Sequence, residues 1–187
     1  AEKEQMPVQL KKESHYDDGS LKSAEFVFIA KDIPAIGYKT YYVQPSLKKP
    51  LKSSRVTSTT TYENESYKIT FEKGGIGQIY DKKLKRNLFK GGNLKGGEVF
   101  TLQSIGNGAG EFGDVQQPFM EDFDKVSNHN ANWKVLKTGD VFTTYRIKQP
   151  ILYAVVEQDV TIYHELKRVL FETRLLNWSG ELYREFR

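Results

Sequence analysis

Short runs in which apolar and polar residues alternate, separated by glycine-rich or charged turns, constrain this chain more than any other feature. Tyr67, Ile69 and Phe71 alternate with polar residues, and Lys73-Gly74-Gly75 follows before the next apolar run begins. Alternation of this kind places the apolar side chains on one face of a β-strand. Glycine tolerates the positive φ of a tight hairpin turn, so this stretch predicts a strand–turn–strand unit.

The same pattern recurs along most of the chain. Asp17-Asp18-Gly19-Ser20 marks a turn after the first run, and Gln149-Pro150 is expected to separate two later strands. The run at 24–29 is apolar on both faces, so we expect it to be buried on both. Strands are predicted over residues 8–12, 24–29, 38–43, 67–72, 76–80, 88–89, 99–105, 133–136, 141–147, 151–163 and 168–178.

Helical periodicity is weak by comparison, because no long segment repeats apolar residues every three or four positions. Tyrosine and phenylalanine, which favour strands, occur 11 times each. Consecutive strands joined by turns predict an all-β chain folded as an antiparallel β-sandwich. The strand–helix–strand rhythm of Rossmann folds and barrels is missing, so neither is expected.

Length and charge exclude several classes of protein. A chain of 187 residues can bury roughly 70% of its unfolded surface, so a core forms without metals or disulfides. The sequence has no cysteine, which excludes a disulfide scaffold, thiolate metal sites and a cysteine nucleophile. Its 28 basic and 24 acidic residues are interleaved, so no nucleic-acid footprint is indicated. No apolar run approaches the roughly 20 residues of a membrane span and no signal peptide is visible, which leaves the compartment open.

Residues 106–132 lack strand periodicity and begin with a glycine-rich stretch at 106–114. This stretch lacks the Gly-Lys-Ser/Thr and the helix start that a phosphate cradle needs. A surface loop is the simpler interpretation, and a loop that lines a ligand site is the alternative. Clustered carboxylates can serve acid–base chemistry or bind calcium, but a solvated acidic loop is the default. The carboxylates in question are Glu111, Asp114, Glu121, Asp122 and Asp124, with His129 close behind.

No complete catalytic apparatus is visible. The histidines His15, His129 and His164 are scattered without a metal-binding spacing, and no serine lies in a Gly-x-Ser-x-Gly elbow. Aromatic residues could stack on sugars, although tyrosine and tryptophan at strand positions more often pack in the core. The aromatic residues considered are Tyr62, Tyr67, Tyr80, Trp133, Tyr153, Tyr163 and Trp178.

Four phrases carry a resemblance to a known family. Residues 62–71 contain Glu-Asn-Glu-Ser-Tyr, and residues 74–86 run from Gly-Gly-Ile to Asp-Lys-Lys-Leu-Lys-Arg. Upstream lies Ile-Pro-Ala-Ile-Gly-Tyr-Lys-Thr-Tyr within 32–41, and downstream lie Phe171-Glu172-Thr173 and Asn177-Trp178. In this order the phrases resemble the start of the C-terminal β-domain of glycoside hydrolase family 38 α-mannosidases and the strand that precedes it.

The resemblance implies a division of the chain into two units. Residues 1–50 would be the end of a small β-sandwich domain and the start of a linker. Residues 51–187 would be the N-terminal portion of a galactose-mutarotase-like β-supersandwich. The polar stretch at 46–60, rich in Lys, Ser and Thr, is the best linker candidate and lies at this boundary.

The resemblance also implies a function. The chain would be a portion of a retaining, zinc-dependent α-mannosidase whose nucleophile and zinc ligands lie in an N-terminal catalytic domain. No segment here resembles that domain, so we expect neither a catalytic residue nor a metal ligand or cofactor in this chain. Its partners would be the catalytic domain of the same polypeptide and, through the intact enzyme, mannose-containing glycans.

The segment 105–124 is the one most expected to face the active site. Its glycines permit close backbone approach, and its length exceeds what a connection needs. The residues expected to line the substrate are Gly108, Glu111, Phe112, Asp114 and Gln116. The alternative is a free-standing carbohydrate-binding β-sandwich module that depends on Trp133 or Trp178, and a third possibility is a scaffold domain without a role in sugar binding.

Overall fold

The structure, a computed structural model, describes residues 5–44, 58–103 and 121–187. Its strands pair only in antiparallel fashion within these ranges, and a 3-10 helix at Val126–Asn128 follows the eighth strand. Among the described residues no helix is long and apolar enough to cross a membrane. The strands are β1 (Val8–His15), β2 (Leu21–Phe28), β3 (Thr61–Glu63), β4 (Tyr67–Glu72), β5 (Gly75–Asp81), β6 (Arg86–Lys90), β7 (Phe100–Gln103), β8 (Asp124–Lys125), β9 (Lys134–Thr138), β10 (Phe142–Ile151), β11 (Ala154–Tyr163), β12 (Val169–Leu176) and β13 (Arg184–Phe186).

Two four-stranded sheets form the body of the fold, and they confirm the predicted all-β sandwich. One has the order β3-β4-β5-β6 and the other has the order β12-β11-β10-β9. Their facing sides share one hydrophobic core, because alternate residues of each strand point to the same face. Burial of each large apolar side chain in this core stabilises the fold by about 1.5–3 kcal/mol. The buried members are Tyr62, Tyr67, Ile69, Phe71, Ile76, Trp133, Tyr145, Ile147, Val160 and Ile162.

The predicted break at Gln149-Pro150 is wrong. Both residues lie inside β10, where Pro150 is paired with Val155, and the hairpin turns at Leu152-Tyr153 instead. Alternate pairs of an antiparallel ladder do not exchange hydrogen bonds, so a strand can hold a proline at such a position.

The predicted strand at 38–43 is also absent, and residues 29–44 form no strand. Tyr38 is 88% exposed, since no described strand lies beside this segment to complete a ladder. The strand predicted at 24–29 does exist as β2, but it is exposed over most of its length rather than buried on both faces. It pairs only with β1 in a two-stranded sheet, so sequence preference for a strand did not imply a covering layer here.

Two side chains attach the β1–β2 hairpin to the sandwich: Lys137 Nζ donates to the carbonyl oxygen of Lys11 at 2.8 Å, and Gln9 is buried against the β9–β10 turn. Gln9 Oε1 accepts hydrogen bonds from the backbone N–H groups of Val141 (3.0 Å) and Phe142 (2.8 Å). A Cβ at Gly139 would lie 2.4 Å from the Gln9 carboxamide carbon, so any other residue at this position would displace the Gln9 side chain. The contact satisfies two backbone donors that the β9–β10 turn would otherwise leave buried and unpaired.

The remaining sheet has three strands in the order β13-β7-β8. It covers a second small core of Val126, Ile151, Ala154 and Val156. Residues 46–57 of the predicted linker lie outside the described residues, and so does the predicted boundary between residues 50 and 51. The division into two domains therefore stays a prediction.

Candidate functional site

The predicted substrate-lining residues, Gly108, Glu111, Phe112, Asp114 and Gln116, lie outside the described part of the chain. The structure does describe the residues on either side of positions 104–120. Gln103, the last residue of β7, donates its backbone N–H to the carbonyl oxygen of Glu121 at 3.3 Å. The rings of Phe100 and Phe123 contact each other with centroids 5.7 Å apart. The two ends of the segment are thus held together on the three-stranded sheet.

Arg184, which sequence reasoning did not identify, lies on β13 opposite Gln103 of β7. Its side chain is 2% exposed, and its guanidinium group lies over the ring of Tyr153, 4.7 Å from the ring centroid. Arg184 Nη1 also donates to the carbonyl oxygen of Asp122 at 2.9 Å. A desolvated cation over an aromatic face is stabilised by as much as about 2 kcal/mol. No motif could have predicted Arg184, because its partners come from distant turns.

Among the members of the predicted acidic cluster that the structure describes, Asp124 has the densest set of contacts. Its Oδ2 lies 2.7 Å from His129 Nε2 and accepts the Leu152 N–H at 2.8 Å. Its Oδ1 accepts from Asn128 Nδ2 at 2.9 Å. Burial raises the pKa of Asp124, but these hydrogen bonds outweigh it and leave the pKa below its ordinary value. An ionised carboxylate with both oxygens occupied fastens the 3-10 helix to the β10–β11 turn, and it is poorly placed to act as a nucleophile or acid.

The described residues do not fit a zinc site. Nowhere in them do three or more His, Asp or Glu side chains converge as metal ligands, and Asp124 with His129 supplies only two. His164 is buried, and its ring nitrogens lie 3.1 Å from Thr143 Oγ1 and 3.1 Å from the Asp140 carbonyl oxygen. His15 lies on the exposed face of β1. A zinc ion needs three or four such ligands, so this part of the chain offers no place for one.

The aromatic residues divide between core and surface. Tyr62, Tyr67 and Trp133 are buried between the two large sheets, as the packing interpretation predicts. Trp133 is 7% exposed, and its Nε1 donates to the carbonyl oxygen of Glu72 at 2.8 Å. Trp178 is 53% exposed and meets Phe186 edge to face. Of the two tryptophans, only Trp178 presents a broad open face.

A groove of about 690 Å³ opens beside the buried edge of Trp133. Three separate segments meet there: the end of β4, the approach to β3 and the residues between the 3-10 helix and β9. No single motif contains its walls, which is why the pattern of the sequence did not reveal it. The residues that line it are Thr59, Thr60, Phe71, Glu72, Lys73, Asn130, Ala131, Asn132 and Trp133.

Comparison with known proteins gives one match. The sequence model of the glycosyl hydrolases family 38 C-terminal domain matches residues 62–184, which is well over half of the chain and includes both four-stranded sheets. No curated protein and no solved structure matches. The chain therefore belongs to glycosyl hydrolase family 38, as part of the C-terminal domain of that family.

Proposed function

We propose that the chain is the non-catalytic β-domain of a retaining, zinc-dependent α-mannosidase and supports an N-terminal catalytic domain of the same polypeptide. The family match carries this proposal, since it is specific to the C-terminal domain and extends across both large sheets. Zinc and the carboxylate nucleophile would be held by the catalytic domain, where the metal would orient the sugar during hydrolysis.

The state of the described carboxylates supports a non-catalytic role. A retaining glycosidase needs two carboxyl groups roughly 5–5.5 Å apart, one of them free to attack the sugar. The buried carboxylates of the described residues are occupied instead: Asp81 contacts Lys167 at 2.9 Å, and Asp159 contacts Arg146 at 2.6 Å. The third, Glu98, accepts the backbone N–H groups of Lys95 at 2.7 Å and Ser127 at 3.1 Å. Each of them serves the fold.

The substrate-lining role of the segment 105–124 belongs to the same proposal. Support comes from the described residues around it, where Gln103 and Glu121 are joined and Arg184 is buried against Tyr153. A segment whose ends are fixed on a rigid sheet can present side chains to a neighbouring domain at a defined place. Glu111 and Asp114 are the members of this segment that could accept hydrogen bonds from sugar hydroxyls.

The first experiment is a turnover assay on this chain alone. We expect no hydrolysis of an aryl α-mannoside, with or without added zinc, because the catalytic groups would lie elsewhere. Measurable turnover by the pure chain would contradict the proposal. Sequencing the reading frame that encodes the chain supplies the second test, since a frame without a catalytic domain would also contradict it.

If the frame encodes a catalytic domain, the intact enzyme tests the lining role directly. Replacing Glu111 by Gln together with Asp114 by Asn should raise KM several-fold, while replacing the exposed Glu13 by Gln should leave it unchanged. Unchanged kinetics in the double variant would remove the lining role and leave the supporting role.

A second candidate function is that of a free-standing carbohydrate-binding module. The observation that favours it is the groove beside Trp133, which has polar walls above an apolar floor. The two candidates predict different reading frames. A free-standing module would be encoded without a catalytic domain and would bind sugars by itself.

A further inference from the structure

The groove beside Trp133 is large enough to hold a small polar ligand. Its volume of about 690 Å³ lies within the roughly 300–1,000 Å³ that is typical of ligand pockets. Its floor is apolar and comes from Phe71 and Trp133, whose ring centroids are 4.8 Å apart. The hydrogen bond from Trp133 Nε1 to Glu72 fixes the indole, so the floor is rigid.

The walls of the groove carry polar side chains that can still form hydrogen bonds. Asn130, Asn132 and Thr59 are exposed, and their side chains make no hydrogen bond with any described residue. Each carboxamide offers two donors and one acceptor with two lone pairs, and each hydroxyl offers both functions. Adjacent donors and acceptors of this kind match the vicinal hydroxyl groups of a sugar ring, which also donate and accept.

The charges in the groove argue against an ionic ligand. Glu72 is paired with Lys95 at 2.7 Å, so its carboxylate is already compensated. Lys73 is the remaining charged wall residue, and it is exposed to solvent. One solvated ammonium group is a weak site for an anion, whereas recognition of a carboxylate or phosphate commonly uses a bidentate arginine. The lining therefore favours a neutral ligand.

We propose that the groove formed by Thr59, Asn130, Asn132 and the floor at Trp133 is a binding site for neutral glycans. Hydroxyl groups of the sugar hydrogen-bond to the two carboxamides and the threonine, and one ring lies above the floor, where Phe71 is 5% and Trp133 is 7% exposed. This inference goes beyond the supporting role of the β-domain, because it needs neither the catalytic domain nor the segment 105–124. It also gives the second candidate function a site and a ligand class.

The test is a titration of the 187-residue chain followed by nuclear magnetic resonance. Neutral α-mannobiose is the probe, and glucuronate serves as the charged comparison. Signals of the Asn130 and Asn132 carboxamides and of the Trp133 indole N–H should shift in a saturable way with the disaccharide. Glucuronate should bind more weakly or not at all.

Matched variants locate the binding. Replacing both Asn130 and Asn132 by Ala removes two neutral hydrogen bonds and should raise Kd about tenfold. Replacing Asn93 by Ala removes an exposed asparagine outside the groove and should leave Kd unchanged. Thr59→Val is a second, isosteric variant, used if the double variant does not fold, and it should also weaken binding. Dispersed spectra confirm the fold of each variant.

Three results would overturn the proposal: no saturable shift at the groove signals, an unchanged Kd in the groove variants, or tighter binding of glucuronate. The titration uses this chain only, so its failure would leave the family 38 role to the turnover assay. Conversely, turnover by the isolated chain would contradict the proposed function without affecting the groove.

Discussion

At the residue scale, charged side chains form an ordered lattice across β10, β11 and β12. Arg146 and Asp159 are opposite each other in the ladder and make a bidentate contact at 2.6 and 2.8 Å. Arg174 reaches Glu157 at 3.0 Å and Asp159 at 3.2 Å. Cross-strand partners of opposite charge stabilise an antiparallel pair, and the bidentate geometry makes this pair stronger than an isolated surface ion pair.

This lattice gives the fold a defined response to acid. The hydrogen bond from Arg146 is the main reason why the pKa of Asp159 lies below its ordinary value of 3.8, with burial opposing it and Arg174 adding to it. A carboxylate with a lowered pKa contributes stability above the pKa it has in the unfolded chain. That contribution is lost as pH falls through the lower, folded pKa. The stability from Asp159 is therefore present at neutral pH and declines as the pH falls below about 4.

Replacing Asp159 by Asn tests this response. We expect the variant to lose about 1–3 kcal/mol of unfolding free energy at neutral pH, because both arginines lose a charged acceptor. Its stability should then fall less steeply than that of the wild type between about pH 5 and about pH 3. Urea denaturation across this range measures both effects, with Asp17→Asn in an exposed turn as the control. Parallel pH profiles for wild type and Asp159→Asn would refute the assignment.

At the scale of the element, three glycines distinguish the effect of a positive φ from the effect of steric crowding around an added Cβ. Gly74 has a φ of +91° in the β4–β5 turn, and an added Cβ would lie 2.7 Å from Ser127 Cβ. Gly19 has a φ of +82° with nothing within 4 Å, and Gly92 has open space without a positive φ. The sequence indicated a turn at Gly74 and at Gly19, but the crowding at Gly74 arises from a distant helix.

Alanine at each of these glycines should give graded losses of stability. Gly92→Ala should be close to neutral, and Gly19→Ala should cost about 1–2 kcal/mol because an L-residue is strained in the left-handed region. Gly74→Ala should cost more than Gly19→Ala, since it adds a steric clash to the same strain. Thermal or urea unfolding ranks the three variants. A Gly74→Ala variant as stable as Gly92→Ala would show that the turn is not built as described.

The same scale shows how far the sequence could predict the fold. Regular alternation predicts β4 and the first part of β10, because apolar side chains at alternate positions fill one face of a sheet there. The strands that it misses, β3, β8 and β13, have two or three residues each, which is too short for a period to appear. The groove beside Trp133 could not be predicted from the sequence for a related reason, since strand pairing brings together walls that lie about seventy residues apart in the chain.

At the scale of the whole molecule, apolar residues remain at the surface where the sequence alone would bury them. Leu170 on β12 is 42% exposed, and Leu175 and Trp178 lie exposed nearby. β12 is also an edge of its sheet, and it is paired only with β11 among the described strands. Alternation along a strand indicates which side chains share a face, but it does not indicate which faces another part of the molecule packs against. An uncovered apolar edge strand is a template for pairing with another strand.

We therefore expect the isolated chain to associate reversibly through β12. In a two-fold antiparallel pairing centred on Thr173, Glu172 lies opposite Arg174 of the second copy, so the charges are complementary. Leu170→Lys should weaken association by about tenfold or more, because an unpaired charge would enter the contact. Leu84→Lys, at an exposed hairpin tip, is the matched control and should associate like the wild type. Sedimentation over a range of concentrations measures this, and equal association of both variants would place the contact on another surface.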